Sequence, residues 1–248
     1  MEDKKYKFPT ETIDLPSKGL IYPKDNPLSS GKVEMKYMTA KEEDILTNQS
    51  YIEAGTVLDK LLQSLIVSDV NYNDIITGDK NALLIAARIL GYGKEYKFEY
   101  KGEEVEVDLS IIDNKEFDES SITKGENKFR FTLPNSKTEI EYKILTSGDE
   151  KKIQAEIRGL KKVNKKTNPE LSTRLKHILV SVDGDDEKKS IREFVDTYLL
   201  AMDSRALRNH IADTQPDVNL TVPVELSGGE EDITIPINLN FFWPDAEV

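Results

Sequence analysis

The sequence contains no cysteine, which excludes disulfides and thiol chemistry. It has only two histidines, so a zinc site would have to combine them with carboxylates. No segment approaches the roughly 20 apolar residues that a spanning helix needs, and the opening MEDKKYKFPT holds no apolar stretch of signal-peptide length. These absences lead us to expect a soluble protein of a cytoplasm. Positive charge is also short. With 34 Lys and Arg against 46 Asp and Glu, the formal charge is -12, which opposes binding to nucleic acid or anionic lipid and favours basic or neutral protein partners.

What is present suffices for a folded protein. The chain has 248 residues, 38% of them apolar, enough for one elaborated domain or two packed lobes. Its patterning predicts an α+β protein with two helical groups, β-ribbons and a proline-rich extended arm. In residues 1–38, Pro9, Pro16, Pro23 and Pro27 deny the backbone donors and disfavour helix, and VEMKYM then alternates like a short strand. Residues 39–93 read as a helical lobe of three helices. Thr39 and Glu42 form a capping box, Val57, Leu58, Leu61, Leu62 and Leu65 fall at helical spacing, and GDKNALLIAARIL starts at Asp79 and stops at Gly91 and Gly93. Residues 94–146 hold two alternating ribbons, one turning near Gly102 and the other at PNSK. Residues 147–215 read as four helices, with capping boxes at Ser147/Glu150 and Ser190/Glu193 and a cap at Asp203. Residues 216–248 form a last ribbon with an aromatic end. YKGEEVEVDL and LSGGEEDITIPI share a turn, a Gly-Glu-Glu and a β-branched alternation, a short internal echo.

Motifs for chemistry are weak. The cluster Asp183, Asp185, Asp186 and Glu187 lacks the glycine position and distant glutamate of a calcium loop, and reads as a turn whose carboxylates favour the start of the next helix. His177 and His210 have no metal-ligand partner at helical spacing. GYGKEY lacks the third glycine of a dinucleotide fingerprint, and SSGKVE lacks the upstream glycine of a phosphate loop. KKVNKK has no interleaved aromatics to stack bases. We therefore expect no catalytic residue, metal site or cofactor. The apolar extremities stand out instead: Leu15, Pro16, Leu20 and Tyr22 in the arm, and Phe241, Phe242, Trp243 and Pro244 at the end. Groups of this size are normally buried or kept for a partner. That argument fits docking on this chain and docking on another equally well.

DLPSKGLIYP, SSGKVEMKYMTAKEEDIL, ITGDKNALLIAARILGYGKEY, LTSGDEKK and NFFWPD, in this order from Ile13 to Asp245, resemble the baseplate hub protein family of T-even-type contractile-tailed bacteriophages. The resemblance implies a structural part or an assembly factor of the tail baseplate hub, without enzymatic activity, working in the host cytoplasm and, if retained, in the virion tail. Its partners would be other hub or tail proteins, or further copies of itself, and the arm and aromatic end are the contact residues expected. The family's glycine-turn ribbons carry paired cysteines of zinc-ribbon type; KGEE and SGGEE here have none, so strand pairing and packing must hold the turns. Two other readings are a metal-assisted hydrolase centred on Asp183, Asp185 and Asp186, and an adaptor for a host protein.

Overall fold

In this computed structural model, residues 9–164, 166 and 168–243 are described. Strand β1 (Thr10–Asp14) lies in the proline-rich arm and pairs antiparallel with β2 (Lys32–Lys36), Ile13 opposite Val33. Residues 15–31 turn back between the two strands, closed by Leu15 N donating to Gly31 O and by a 3-10 turn at Pro27–Ser30. Gly19 has φ +76°, and a Cβ there would sit 2.5 Å from Ser29 O, so backbone approach and dihedral both demand glycine.

Helix α1 (Ala40–Leu46) opens on Thr39, whose amide and hydroxyl donate to the Glu42 carboxylate at 3.0 and 2.6 Å. A short α2 (Gln49–Glu53), capped by Asn48, was not expected. In α3 (Val57–Leu65), Val57, Leu61, Leu62 and Leu65 are buried. Helix α4 (Thr77–Tyr92) starts at Thr77, so Asp79 is inside the first turn and does not cap it.

Strands β3 (Glu95–Tyr100) and β4 (Glu103–Asp108) pair as the alternation predicts, Tyr96 with Val107 and Phe98 with Val105. Their two turn residues, Lys101 and Gly102, both have positive φ, the geometry that matches strand twist in two-residue hairpins. Strands β5 (Phe129–Thr132) and β6 (Glu139–Tyr142) form the second ribbon and gain a third strand, β7 (Leu179–Val182). Leu179 and Val180 lie in the stretch that reads as helical, yet they are strand. A short apolar run has no periodicity to separate the two states, and pairing with β6 decides for strand.

Among the described residues, four α-helices and the strand β7 occupy 147–215, and three of the helices start elsewhere than predicted. α5 (Ser147–Val163) is capped by Thr146 with Asp149, α6 (Glu170–Ile178) follows, α7 (Lys188–Glu193) begins ahead of Ser190, and α8 (Ala201–Thr214) begins ahead of Asp203. A π-turn, Phe194–Tyr198, follows α7. Strands β8 (Thr221–Leu226) and β9 (Gly229–Thr234) make the last ribbon, and a 3-10 turn spans Leu239–Phe242. The two ribbons that share the Gly-Glu-Glu echo touch: the Ser227 amide and hydroxyl donate to Glu103, and Lys101 pairs with Glu231.

The cores do not follow chain order. The first unites the arm, α1, α3, α4, β3–β4, β8–β9 and the aromatic end. The second lies between the three-stranded sheet and α6, α7 and α8, and a small cluster around Ile153 and Ile157 lines α5. The two bodies meet where α4 and α5 begin: Thr77 N donates to Leu145 O, and Ser147 N to Ile75 O. Among the described residues, no helix is long and apolar enough to cross a membrane.

Candidate partner-binding surfaces

The arm is fastened to the chain's own α4. Asp79, fully buried, accepts from the Ser17 amide at 2.9 Å, the Ser17 hydroxyl at 2.7 Å and the Tyr22 hydroxyl at 2.6 Å. The Tyr22 oxygen in turn accepts from Ile76 N. Burial raises the Asp79 pKa despite these donors, and burial beside Asp79 raises that of Tyr22. Leu15, Pro16 and Tyr22 are buried as a result, and Leu20 is half-buried.

The aromatic end is fastened to the same helix. Arg88, 1% exposed, donates to the carbonyl oxygens of Phe241, Gly93 and Glu95 at 2.9, 2.9 and 3.2 Å. Its guanidinium thereby ties the end of the chain, the end of α4 and the start of β3 together. Phe241 packs edge-on to Tyr96 with centroids 4.9 Å apart and edge-on to Phe242 at 5.3 Å, and both phenylalanines are fully buried. Trp243 is half-buried against the same core, and Pro244 lies outside the described residues. Of the eight contact residues expected from sequence, Leu15, Pro16, Tyr22, Phe241 and Phe242 therefore have their surface inside this chain. The physical reason is that α4 supplies a buried acceptor and a buried donor for the backbone of both extremities. Leu20 and Trp243 keep some surface outward.

Two carboxylates of the acidic turn are occupied with backbone amides, one from β6 and one from the turn itself. Asp183 accepts from Glu139 N, and Asp185 from Glu187 N. Among the described residues, no group of three or more histidine and carboxylate side chains is placed to hold a metal ion. His177 Nε2 lies 3.0 Å from Glu156, and His210 stacks on Phe131 with centroids 4.3 Å apart. Arg192 also grips Glu156 with two bonds, and these hydrogen bonds hold the Glu156 carboxyl down to about 2. The trio joins α5, α6 and α7.

Single apolar side chains, Val67 and Ile111, are exposed on the first body, and grouped ones lie on the second, where the sequence predicts no site. Tyr198, Leu200 and Met202 are 61%, 50% and 69% exposed between the π-turn and the first turn of α8. Val163, 89% exposed, stands with Leu160 and Leu171 at the end of the α5–α6 hairpin. A helical projection gives a signal for Met202: Leu207 and Ile211 define the inward face of α8, and Met202 is off it. Tyr198 and Leu200 have no such signal, because the π-turn breaks the period that would place them.

No curated protein and no solved structure matches the chain. A family described as T4 bacteriophage base plate protein matches residues 10–243, from the first residue of β1 to Trp243 and through both cores, and the chain belongs to that family.

Proposed function

We propose that this protein is a structural or assembly component of the hub of a phage tail baseplate, acting by contact with other hub or tail proteins. Family membership supports the tail baseplate as the setting. One observation carries the reading of action by contact: Tyr198, Leu200 and Met202 bring three large, solvent-facing apolar side chains into five consecutive residues. Aromatic and methionine side chains grouped at a surface are what partner proteins cover. Leu20 and Trp243 are subsidiary contacts at the first body.

Crosslinking mass spectrometry of tail-assembly intermediates tests the proposal. Crosslinks from the 198–202 segment to another tail protein are expected, and Tyr198→Ser with Met202→Ser should abolish them while leaving the fold intact by circular dichroism. Normal incorporation of that double variant into baseplates would refute it. Stoichiometric presence in purified virions marks a resident subunit; presence in intermediates alone marks a transient chaperone.

A further inference from the structure

Helix α5 carries three carboxylates, and each is taken by a cation from elsewhere: Asp149 by Lys143 at 2.7 Å, Glu150 by Arg174 at 2.6 Å and Glu156 by Arg192 at 2.6 Å. Opposite its buried Ile153 and Ile157, the helix presents Lys151, Ala155, Arg158 and Lys162, which fall on one stripe and are all exposed. Among the described residues, no carboxylate lies within ion-pair distance of Lys151, Arg158 or Lys162. The helix dipole accounts for Lys162 in the last turn, but Lys151 and Arg158 gain nothing from it. A chain with a net charge of -12 thus keeps an unneutralised basic stripe.

The complementary surface belongs to the same chain. On the outer faces of two ribbons, Glu99 stands directly opposite Glu104, and Glu225 opposite Glu230. Like charges in directly opposed cross-strand positions destabilise a hairpin, so neither pair serves the fold. Lys97, 4.0 Å from Glu104, is the nearest relief in ion-pair range. The lengths agree: the stripe runs about 16 Å along the helix, and a six-residue strand about 20 Å.

We propose that the basic stripe of α5 is a docking face whose occupant is the glutamate-faced ribbons of a second copy of this chain. The contact joins two different surfaces, so each copy donates one and accepts one, and copies add head to tail. Neutralising the opposed glutamates relieves a repulsion that the lone copy carries. This inference does not depend on the hub reading.

Sedimentation velocity of the full chain tests it. Association is expected at about 50 mM salt and should weaken about tenfold or more at about 500 mM. Lys151→Glu, Arg158→Glu and Lys162→Glu together should leave a monomer. Glu104→Lys with Glu230→Lys should also be monomeric yet melt higher, because Glu99 and Glu225 then face lysines. Mixing the two variants should give a 1:1 dimer that grows no further, since each keeps one intact surface. A wild-type monomer at about 100 μM in low salt, association by either variant alone at wild-type strength, or no complex on mixing would overturn the proposal. So would a stripe variant that self-associates normally but loses binding to duplex DNA.

Discussion

Glu42, Asp79, Asp149 and Asp203 each stand third in their helix, yet they do two different jobs. Glu42 and Asp149 turn back to a threonine at the N-cap. Asp79 and Asp203 follow Ile76 and Leu200, caps with no polar side chain, and reach outward. Asp79 takes the arm, and Asp203 takes the amides of Asn135 and Ser136 at 2.8 and 2.9 Å, holding the β5–β6 turn. The sequence predicts Asp79 and Asp203 as helix starts; behind an apolar cap, a third-position acid serves instead as a tertiary anchor. The partners of these acids are not legible, because they lie 57 residues away for Tyr22, 62 for Ser17 and 68 for Asn135. Asp79→Ala should cost about 2–4 kcal/mol in urea denaturation by orphaning buried donors, and Asp79→Asn should cost clearly less, since an amide can still accept and donate there. pH separates the two acids. Burial opposes the charge on Asp203, but the donors from Asn135 and Ser136 outweigh it and bring its pKa down to about 2. Its stabilising effect is therefore present above the ordinary carboxylate value of about 3.9 and is lost as pH falls toward 2. Asp79 has the opposite sign: its raised pKa favours folding below the ordinary value, and that contribution fades as pH rises through the folded one. Asp203→Asn should flatten the acid limb of stability measured between about pH 5 and 2, and Asp79→Asn should not.

At the scale of elements, close backbone contact fixes how α4 is seated. A Cβ on Gly78 would lie 2.0 Å from Pro216 O, whereas a Cβ on Gly159 of α5 would meet nothing within 4 Å. Gly78→Ala should therefore destabilise by about 3 kcal/mol or more by forcing α4 away from residues 216–217. Gly159→Ala should stabilise by roughly 0.5–1 kcal/mol through helix propensity alone. Thermal denaturation of the two variants, equal in chemistry and opposite in sign, checks both. The hairpins were readable because alternation fixes which side chains face the core, and Tyr96, Val105 and Val107 are buried as it requires. α2 was missed because its five residues bury no side chain, so it has no apolar period to read.

For the molecule as a whole, the first core closes only when residues far apart in sequence meet. Leu15, Leu61, Leu84, Tyr96, Ile233 and Phe242 share one core, while the second core draws its buried residues from the continuous stretch Leu133 to Leu207. A chain ending at Asp217 should lose hydrogen-exchange protection in α1, α3 and α4 but keep it in β5–β7 and α8. Sequence alone could not settle where the extremities dock, because the same greasy side chains suit either home; in the structure Asp79 and Arg88 of α4 hold Ser17 and Phe241 on this chain. During synthesis this arrangement sets a timetable. At about 5–20 residues per second, roughly ten to forty seconds separate the emergence of Leu15 from that of Phe242. The second core can mature while Leu15 and its neighbours still wait for Phe242. Of the two cores, the one begun earlier is thus completed later, and its apolar faces stay longest in need of shelter.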